Sequence, residues 1–220
     1  PDKMSSTTNY IVATAGHIDH GKSTLIEALS GTNPDRLPEE QSRGMTIDLG
    51  FAHLLLNDSE NPEKNYSLGL IDVPGHADFV KNMVAGAGSV DVAMFVVAAD
   101  DGWMPQSEEH LHVLTYLNVR NAVVALTKSD SVDDIEFSSE MVSESLKGSV
   151  FENAPIVPVC ALIGDGIEEL REALIQEIKK VSPPPNTEKP RLFVDRVFSP
   201  KGVGTVITGT MSGGKFTKGQ

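Results

Sequence analysis

Residues Gly16-His17-Ile18-Asp19-His20-Gly21-Lys22-Ser23 fit the pattern G-x-x-x-x-G-K-[ST], directly after the apolar run Tyr10 to Ala15 and directly before the helically spaced stretch Lys22 to Leu29. No other feature constrains the fold as strongly, because such a loop needs a strand on one side and a helix N-terminus on the other. Its glycines permit a tight turn, so that backbone N–H groups and the helix N-terminus converge on an anion. Lys22 adds a point charge for the outer phosphates of a nucleotide, and Ser23 offers a hydroxyl to Mg²⁺. Asp19, His20, Gly21, Lys22, Ser23 and Thr24 are therefore the candidate phosphate-binding residues. His17 and His20 are read as shaping the loop. The bland alternative, a glycine-rich turn without a ligand, is disfavoured by the strand and helix around it.

Further apolar runs occur at Phe51 to Leu56, Leu68 to Val73, Val92 to Ala98, Ala122 to Leu126 and Ile156 to Val159, rich in the β-branched and aliphatic residues that strands favour. Between most of them lies helical spacing, at Ala77 to Ala87, Gln106 to Leu117 and Ile167 to Ile178. The polar connection Asn57 to Tyr66 suits an antiparallel hairpin instead. The pattern predicts a doubly wound α/β fold, with a mostly parallel six-stranded sheet and helices on both faces.

Residues 1–9 are polar and are expected to be a disordered N-terminal segment, with one α/β domain over 10–181. Ser182-Pro183-Pro184-Pro185-Asn186 cannot continue a helix, so 182–190 reads as a linker. Two β-rich runs, Leu192 to Phe198 and Gly204 to Thr210, then suggest that 191–220 is the truncated start of a β-barrel domain.

Composition mainly excludes. The chain has 220 residues and 40% hydrophobic content, enough for one sizeable core. No run approaches the roughly 18 apolar residues of a membrane span, and the N-terminus lacks a signal core, so a cytoplasmic location is expected. Cys160 is the single cysteine, which rules out an intramolecular disulfide and fits a reducing compartment. With 18 Lys and Arg against 31 Asp and Glu, the formal charge of −13 argues against nucleic-acid binding by bulk electrostatics. Any RNA contact must be local or lie elsewhere.

Other segments bear on the ligand. Asp72-Val73-Pro74-Gly75-His76 ends a predicted strand, where Asp72 can hold Mg²⁺ through water and the Gly75 N–H can meet a γ-phosphate. An acid at a strand end is often mere solvation, but its pairing with the phosphate loop favours the functional reading. Thr127-Lys128-Ser129-Asp130 follows the fifth strand, placing Asp130 where a carboxylate can accept two N–H donors of guanine. Adenine lacks that donor pair, and the unpaired acceptor would disfavour it. The Lys128 stem can lie on the base. Cys160-Ala161-Leu162, after the sixth strand, can present the Ala161 N–H to the guanine oxygen; alone this signal is weak.

Together these segments resemble the five nucleotide boxes of the translational GTPases, over residues 10 to 180 and into the next domain. The resemblance implies a P-loop GTPase fold that binds GTP or GDP with Mg²⁺ and hydrolyses GTP. Arg43-Gly44-Met45-Thr46 looks like the family's first switch, making Thr46 the residue that joins Ser23 and Asp72 at the metal and touches the γ-phosphate. His76 matches the histidine that orients the attacking water once the ribosome swings it into place, and Ile18 and Met45 match the apolar gate beside that water. Within the family, Asp35 to Glu40 followed by Arg43 to Phe51 looks most like the selenocysteine-specific elongation factors, as does Val194-Asp195-Arg196-Val197-Phe198. The partners so implied are the ribosome, selenocysteyl-tRNA and a messenger RNA hairpin bound through a further C-terminal region, with the factor a monomer.

Two departures stand out. Thr127 replaces the usual Asn and Cys160 the usual Ser, which predicts weaker side-chain bonds in the base loops; the first also occurs in selenocysteine factors. Asp195 and Arg196 have two readings: Arg196 welcomes an anionic selenolate, or the two form a structural surface pair. His53, His110 and His112 lack metal-ligand companions and read as surface or packing residues. The competing functions are another tRNA-delivering factor, of the elongation factor Tu or initiation-factor type, and a GTP-dependent binding switch with negligible hydrolysis.

Overall fold

A computed structural model of the chain describes residues 6–34, 49–73, 90–182, 187–214 and 216–219, without the side chains of Ser6, Asp195, Arg196, Thr210 and Ser212. Its elements are β1 (Ser6–Ala15), α1 (Lys22–Ser30), β2 (Gly50–Asn57), β3 (Lys64–Asp72), β4 (Val92–Ala98), α2 (Pro105–Tyr116), β5 (Asn121–Thr127), α3 (Ile135–Leu146), β6 (Ile156–Pro158), α4 (Ile167–Lys180), β7 (Arg191–Phe198) and β8 (Val206–Ser212). The chain divides into two compact units, Pro1–Val181 and Ser182–Gln220.

In the first unit six strands run in the order β2-β3-β1-β4-β5-β6, all parallel except β2, which pairs antiparallel with β3 across the connection 58–63. The central strand β4 is buried at every position, as a strand covered on both faces must be. Its alternating side chains separate two cores. Val92, Met94 and Val96 pack with Leu25, Ile26 and Leu29 of α1 and Leu170, Leu174 and Ile178 of α4. Ala93, Phe95 and Val97 pack with Leu111 and Leu114 of α2, Val142 and Leu146 of α3, and Phe151. From β1 the chain passes to the β2–β3 side of the sheet, and from β3 it crosses to β4 on the other side of β1, so the strand order reverses there. Ligands of open α/β sheets sit at that carboxyl edge.

Two differences from the sequence reading concern this unit. Residues 6–9, expected to be disordered, form the start of β1, because Ser6 to Asn9 find backbone partners along Lys64 to Ser67 of β3. The helix α3 was not expected at all: its sequence IEFSSEMVSESL buries only Val142 and Leu146. Its start is fixed by Asp134, whose side chain accepts the Phe137 N–H at 3.0 Å. The helix expected over Ala77 to Ala87 lies outside the described residues. Among the described residues, no helix is long and apolar enough to cross a membrane.

The second unit is an antiparallel ribbon in which β7 and β8 pair from Arg191↔Ser212 to Phe198↔Val206, with a bulge at Asp195 between Val194 and Arg196. Phe193, Val197, Ile207 and Met211 are exposed on it. A two-stranded ribbon is marginal in water by itself, and apolar exposure of this kind marks a sheet built to pack against more strands.

Candidate functional site

The phosphate loop leaves β1 at Gly16, whose φ of +132° suits only glycine; a Cβ there would stand 2.2 Å from the Val96 carbonyl oxygen of β4. Asp19 (φ 63) and Gly21 (φ 84) also adopt left-handed geometry, curling the loop into a concave nest before α1 begins. Among the described residues, the N–H groups of Asp19, His20 and Gly21 have no protein acceptor, which is the condition an incoming anion requires. The Lys22 ammonium donates to the carbonyls of Gly16 at 3.3 Å and His17 at 2.6 Å, which draws this cation across the loop. Thr24 follows in the first turn of α1.

Next to the loop, the Ser23 hydroxyl donates to Asp72 Oδ2 at 2.6 Å. The other carboxylate oxygen of Asp72 accepts from the Thr14 hydroxyl at 3.0 Å, and that hydroxyl in turn accepts the Val73 N–H at 3.0 Å. Asp72 is fully buried. A hydroxyl and a carboxylate side by side form a hard-oxygen donor set, which fits Mg²⁺ in partnership with phosphate. Thr46, Gly75 and His76 lie outside the described residues.

The base loop begins where β5 ends. Thr127 is buried, and its hydroxyl lies 2.7 Å from the His20 carbonyl oxygen and 3.3 Å from that of Val97. The threonine therefore does not loosen this corner as the Asn replacement suggested; it ties the base loop to the phosphate loop. Lys128 sits at φ 54, a left-handed conformation that is strained for lysine. Its ammonium lies 3.5 Å from Asp100 and 3.7 Å from Asp101. Asp130 is exposed in a single 3-10 turn, Ser129–Ser131, and among the described residues its carboxylate has no hydrogen-bond partner. An acceptor left open in this way can serve a base.

The third loop closes on itself: Cys160 N–H donates to the Asp165 carbonyl at 2.9 Å and Gly164 N–H to the Cys160 carbonyl at 2.9 Å. Cys160 is buried, Ala161 half-buried and Leu162 exposed. The Ser129 N–H donates to the Val159 carbonyl at 3.3 Å, joining this loop to the Thr127–Asp130 loop. The residues of all three loops thus gather at one edge of the sheet. Asp195 and Arg196 belong to the second unit, on the backbone of β7.

The histidines divide. His53 is an exposed partner of the Ser67 hydroxyl at 2.9 Å, and His112 pairs with Glu108 at 3.2 Å on the outer face of α2. His20 is completely buried, its Nε2 3.7 Å from Asp101; burial and then the neighbouring His17 push its pKa down to about 4, against the Val96 carbonyl and Asp101. His110, read as packing, is buried and accepts the Gly16 N–H on Nδ1 at 2.8 Å, while Gln106 Oε1 accepts the Ile18 N–H at 3.2 Å. Thr14, Gln106 and His110 carry no motif. The only local signal for the last two is their i, i+4 spacing on one helix.

The elongation factor Tu GTP-binding domain family matches residues 7–180. The chain is 51% identical over 212 residues to the selenocysteine-specific elongation factor of Desulfomicrobium baculatum, covering 96% of this chain and 32% of that protein. The crystal structure of a bacterial selenocysteine-specific elongation factor superposes with a TM-score of 0.84 at 40% identity, over 94% of this chain and 35% of that one. The Methanococcus maripaludis elongation factor SelB, solved with the GTP analogue GppNHp, gives a TM-score of 0.79 at 32% identity, over 95% and 42% of the two chains. The chain spans about a third of the length of the selenocysteine-specific relatives it matches.

Proposed function

This chain belongs to the family of elongation factor Tu GTP-binding domains, and we propose on that footing that it is the nucleotide switch of a factor delivering selenocysteyl-tRNA to the ribosome. The observation that carries the nucleotide part is the Thr127–His20 bond, which fixes the open Asp130 carboxylate relative to the open N–H groups of the phosphate loop. Two loops with complementary tasks, one suited to guanine and one to phosphate, are thereby held at a set separation.

In this reading Asp19 to Thr24 hold the phosphates, Lys22 neutralises their outer charge, and Lys128 and Asp130 select guanine, with Ala161 supporting the base oxygen. Ser23, Asp72 and Thr46 hold Mg²⁺, which when bound supplies charge neutralisation at the phosphates. Thr46 and the Gly75 N–H gather both switches on the γ-phosphate, and His76 orients the hydrolytic water on the ribosome. These three roles rest on the sequence resemblance. Loss of the γ-phosphate removes the contacts that order the switches, so hydrolysis becomes a conformational signal.

The selenocysteine part is supported by the Asp35 to Phe51 segment and by the identity to selenocysteine-specific relatives. Messenger-hairpin binding, the monomeric state and a cytoplasmic setting go with that proposal. Arg196 as a partner for the selenolate is its most specific element, against the alternative of a structural pair with Asp195.

Competition of unlabelled GTP and ATP against a fluorescent GDP, with Mg²⁺, on this chain and on Asp130→Asn tests the nucleotide reading. Competition by GTP alone, relaxed in the variant, is expected; equal competition by ATP would overturn it. For the tRNA, the intact factor is expected to protect selenocysteyl-tRNA from deacylation far better than seryl-tRNA, and equal protection would point to a general delivery factor.

A further inference from the structure

Two N–H groups of the phosphate loop are engaged from one side by a single helix. Gln106 and His110 stand one turn apart on α2 and so share a face. Gln106 Oε1 takes the Ile18 N–H at 3.2 Å and His110 Nδ1 takes the Gly16 N–H at 2.8 Å. A donor already held by a protein acceptor is not available to phosphate. The open N–H groups of Asp19, His20 and Gly21 lie just beyond. The loop therefore has two sets of donors, one anchored to α2 and one left for the ligand.

The Gly16 anchor has no ready substitute. Gly16 presses so closely on Val96 that a Cβ would overlap its carbonyl at 2.2 Å, and His110 is 1% exposed, so water has little access. Nδ1 can accept only from a ring that keeps its proton on Nε2. Burial, and then the charges of Lys22 and His17, hold the imidazole in that neutral form. At Ile18 the partner is half-buried, so water can replace part of what Gln106 provides.

We propose that His110 and Gln106 are positioning residues for nucleotide binding: by fixing the Gly16 and Ile18 N–H groups they keep the phosphate loop in its anion-ready shape without touching the ligand. This rests on the guanine-nucleotide reading above. It assigns to α2 a part in nucleotide retention that comes from none of the sequence boxes.

The test is the dissociation rate of N-methylanthraniloyl-GDP from the chain and from His110→Leu, His110→Asn and Gln106→Leu, with the melting temperature of each nucleotide-free protein. Leucine fills the site without an acceptor, whereas asparagine returns an oxygen near the position of Nδ1. An unsatisfied buried donor costs enough to predict dissociation about tenfold faster in His110→Leu, with a smaller rise in Gln106→Leu. His110→Asn is expected within about threefold of wild type, even if both His110 variants melt lower, and preference for GTP over ATP stays unchanged. Equal acceleration in the leucine and asparagine variants, or none in any variant, would overturn the proposal. Should His110→Leu fail to fold, an unchanged rate in Gln106→Leu would do the same. A wild-type chain that does not bind the GDP probe would instead overturn the nucleotide reading.

Discussion

The Thr127 hydroxyl donates to the His20 carbonyl oxygen across 107 positions of sequence, so the base loop and the phosphate loop form one rigid corner. Thr127→Val keeps the shape and removes the bond, leaving the His20 carbonyl unpaired. GDP affinity is expected to fall roughly tenfold, in line with about 1–2 kcal/mol for a lost buried hydrogen bond. Thr127→Asn, which can still donate, should lose much less; equilibrium titration of both variants checks this.

The Thr14 hydroxyl serves two neighbours, accepting from the Val73 N–H and donating to Asp72. Thr14→Val strands both, at a cost of about 2 kcal/mol in stability by urea unfolding. The expected functional trace is a higher Mg²⁺ concentration for half-maximal nucleotide retention, measured by titrating the metal against a chelator. A shift in stability with no change in metal demand would separate Thr14 from the site.

Acid should destabilise the domain through His110, whose pKa is held at about 4 against an ordinary 6.5, first by burial and then by Lys22 and His17. The unfolded state binds the proton more readily, so this contribution is complete above pH 6.5 and is lost as pH falls from there towards 4. A shift of that size corresponds to about 3 kcal/mol. His110→Asn should flatten the pH dependence of unfolding in that window, with His20 contributing in the same direction.

Gly166 caps α4 at φ 73, and a Cβ there would lie 2.1 Å from the Pro158 carbonyl oxygen. Gly166→Ala combines left-handed strain with a backbone clash and is expected to cost about 3 kcal/mol or more. Because the clash is at the end of β6, beside the Cys160 loop, thermal melting should fall together with guanine selectivity.

If the proposed function holds, His76→Ala should leave nucleotide affinity within about threefold of wild type while abolishing any stimulation of the intact factor's phosphate release by ribosomes; assisted members of the wider class gain on the order of 10⁵-fold. A large loss of affinity would show that the residue serves binding instead.

Much of this architecture is carried by local pattern. The short all-apolar, valine-rich run Val92 to Ala98 reads as a strand covered on both faces, and the glycines at 16 and 21 mark where the chain turns left-handed. The neighbourhood of Ser23 and Asp72 is legible because each stands at a fixed spacing from a strand end, and the structure brings them within 2.6 Å. The helix Ile135–Leu146 escaped because only Val142 and Leu146 are fully buried, with Ile135 partly so, and because its start depends on one cap, the Asp134 side chain. Likewise, nothing polar in Ser6 to Asn9 announces a strand; the partner along β3 makes it one.

The sequence by itself determined the strand-and-helix layers and the loop types, since each follows from the order of residues within a short window. Only the tertiary structure decided that Thr14 steadies Asp72, that Thr127 joins His20, and that α2 holds the loop through Gln106 and His110. Those bonds link residues 58 to 107 positions apart. Hydrogen bonds between distant segments leave no period or spacing in the chain, because their partners are chosen by the sheet order that brings β1, β3, β4 and β5 to one edge.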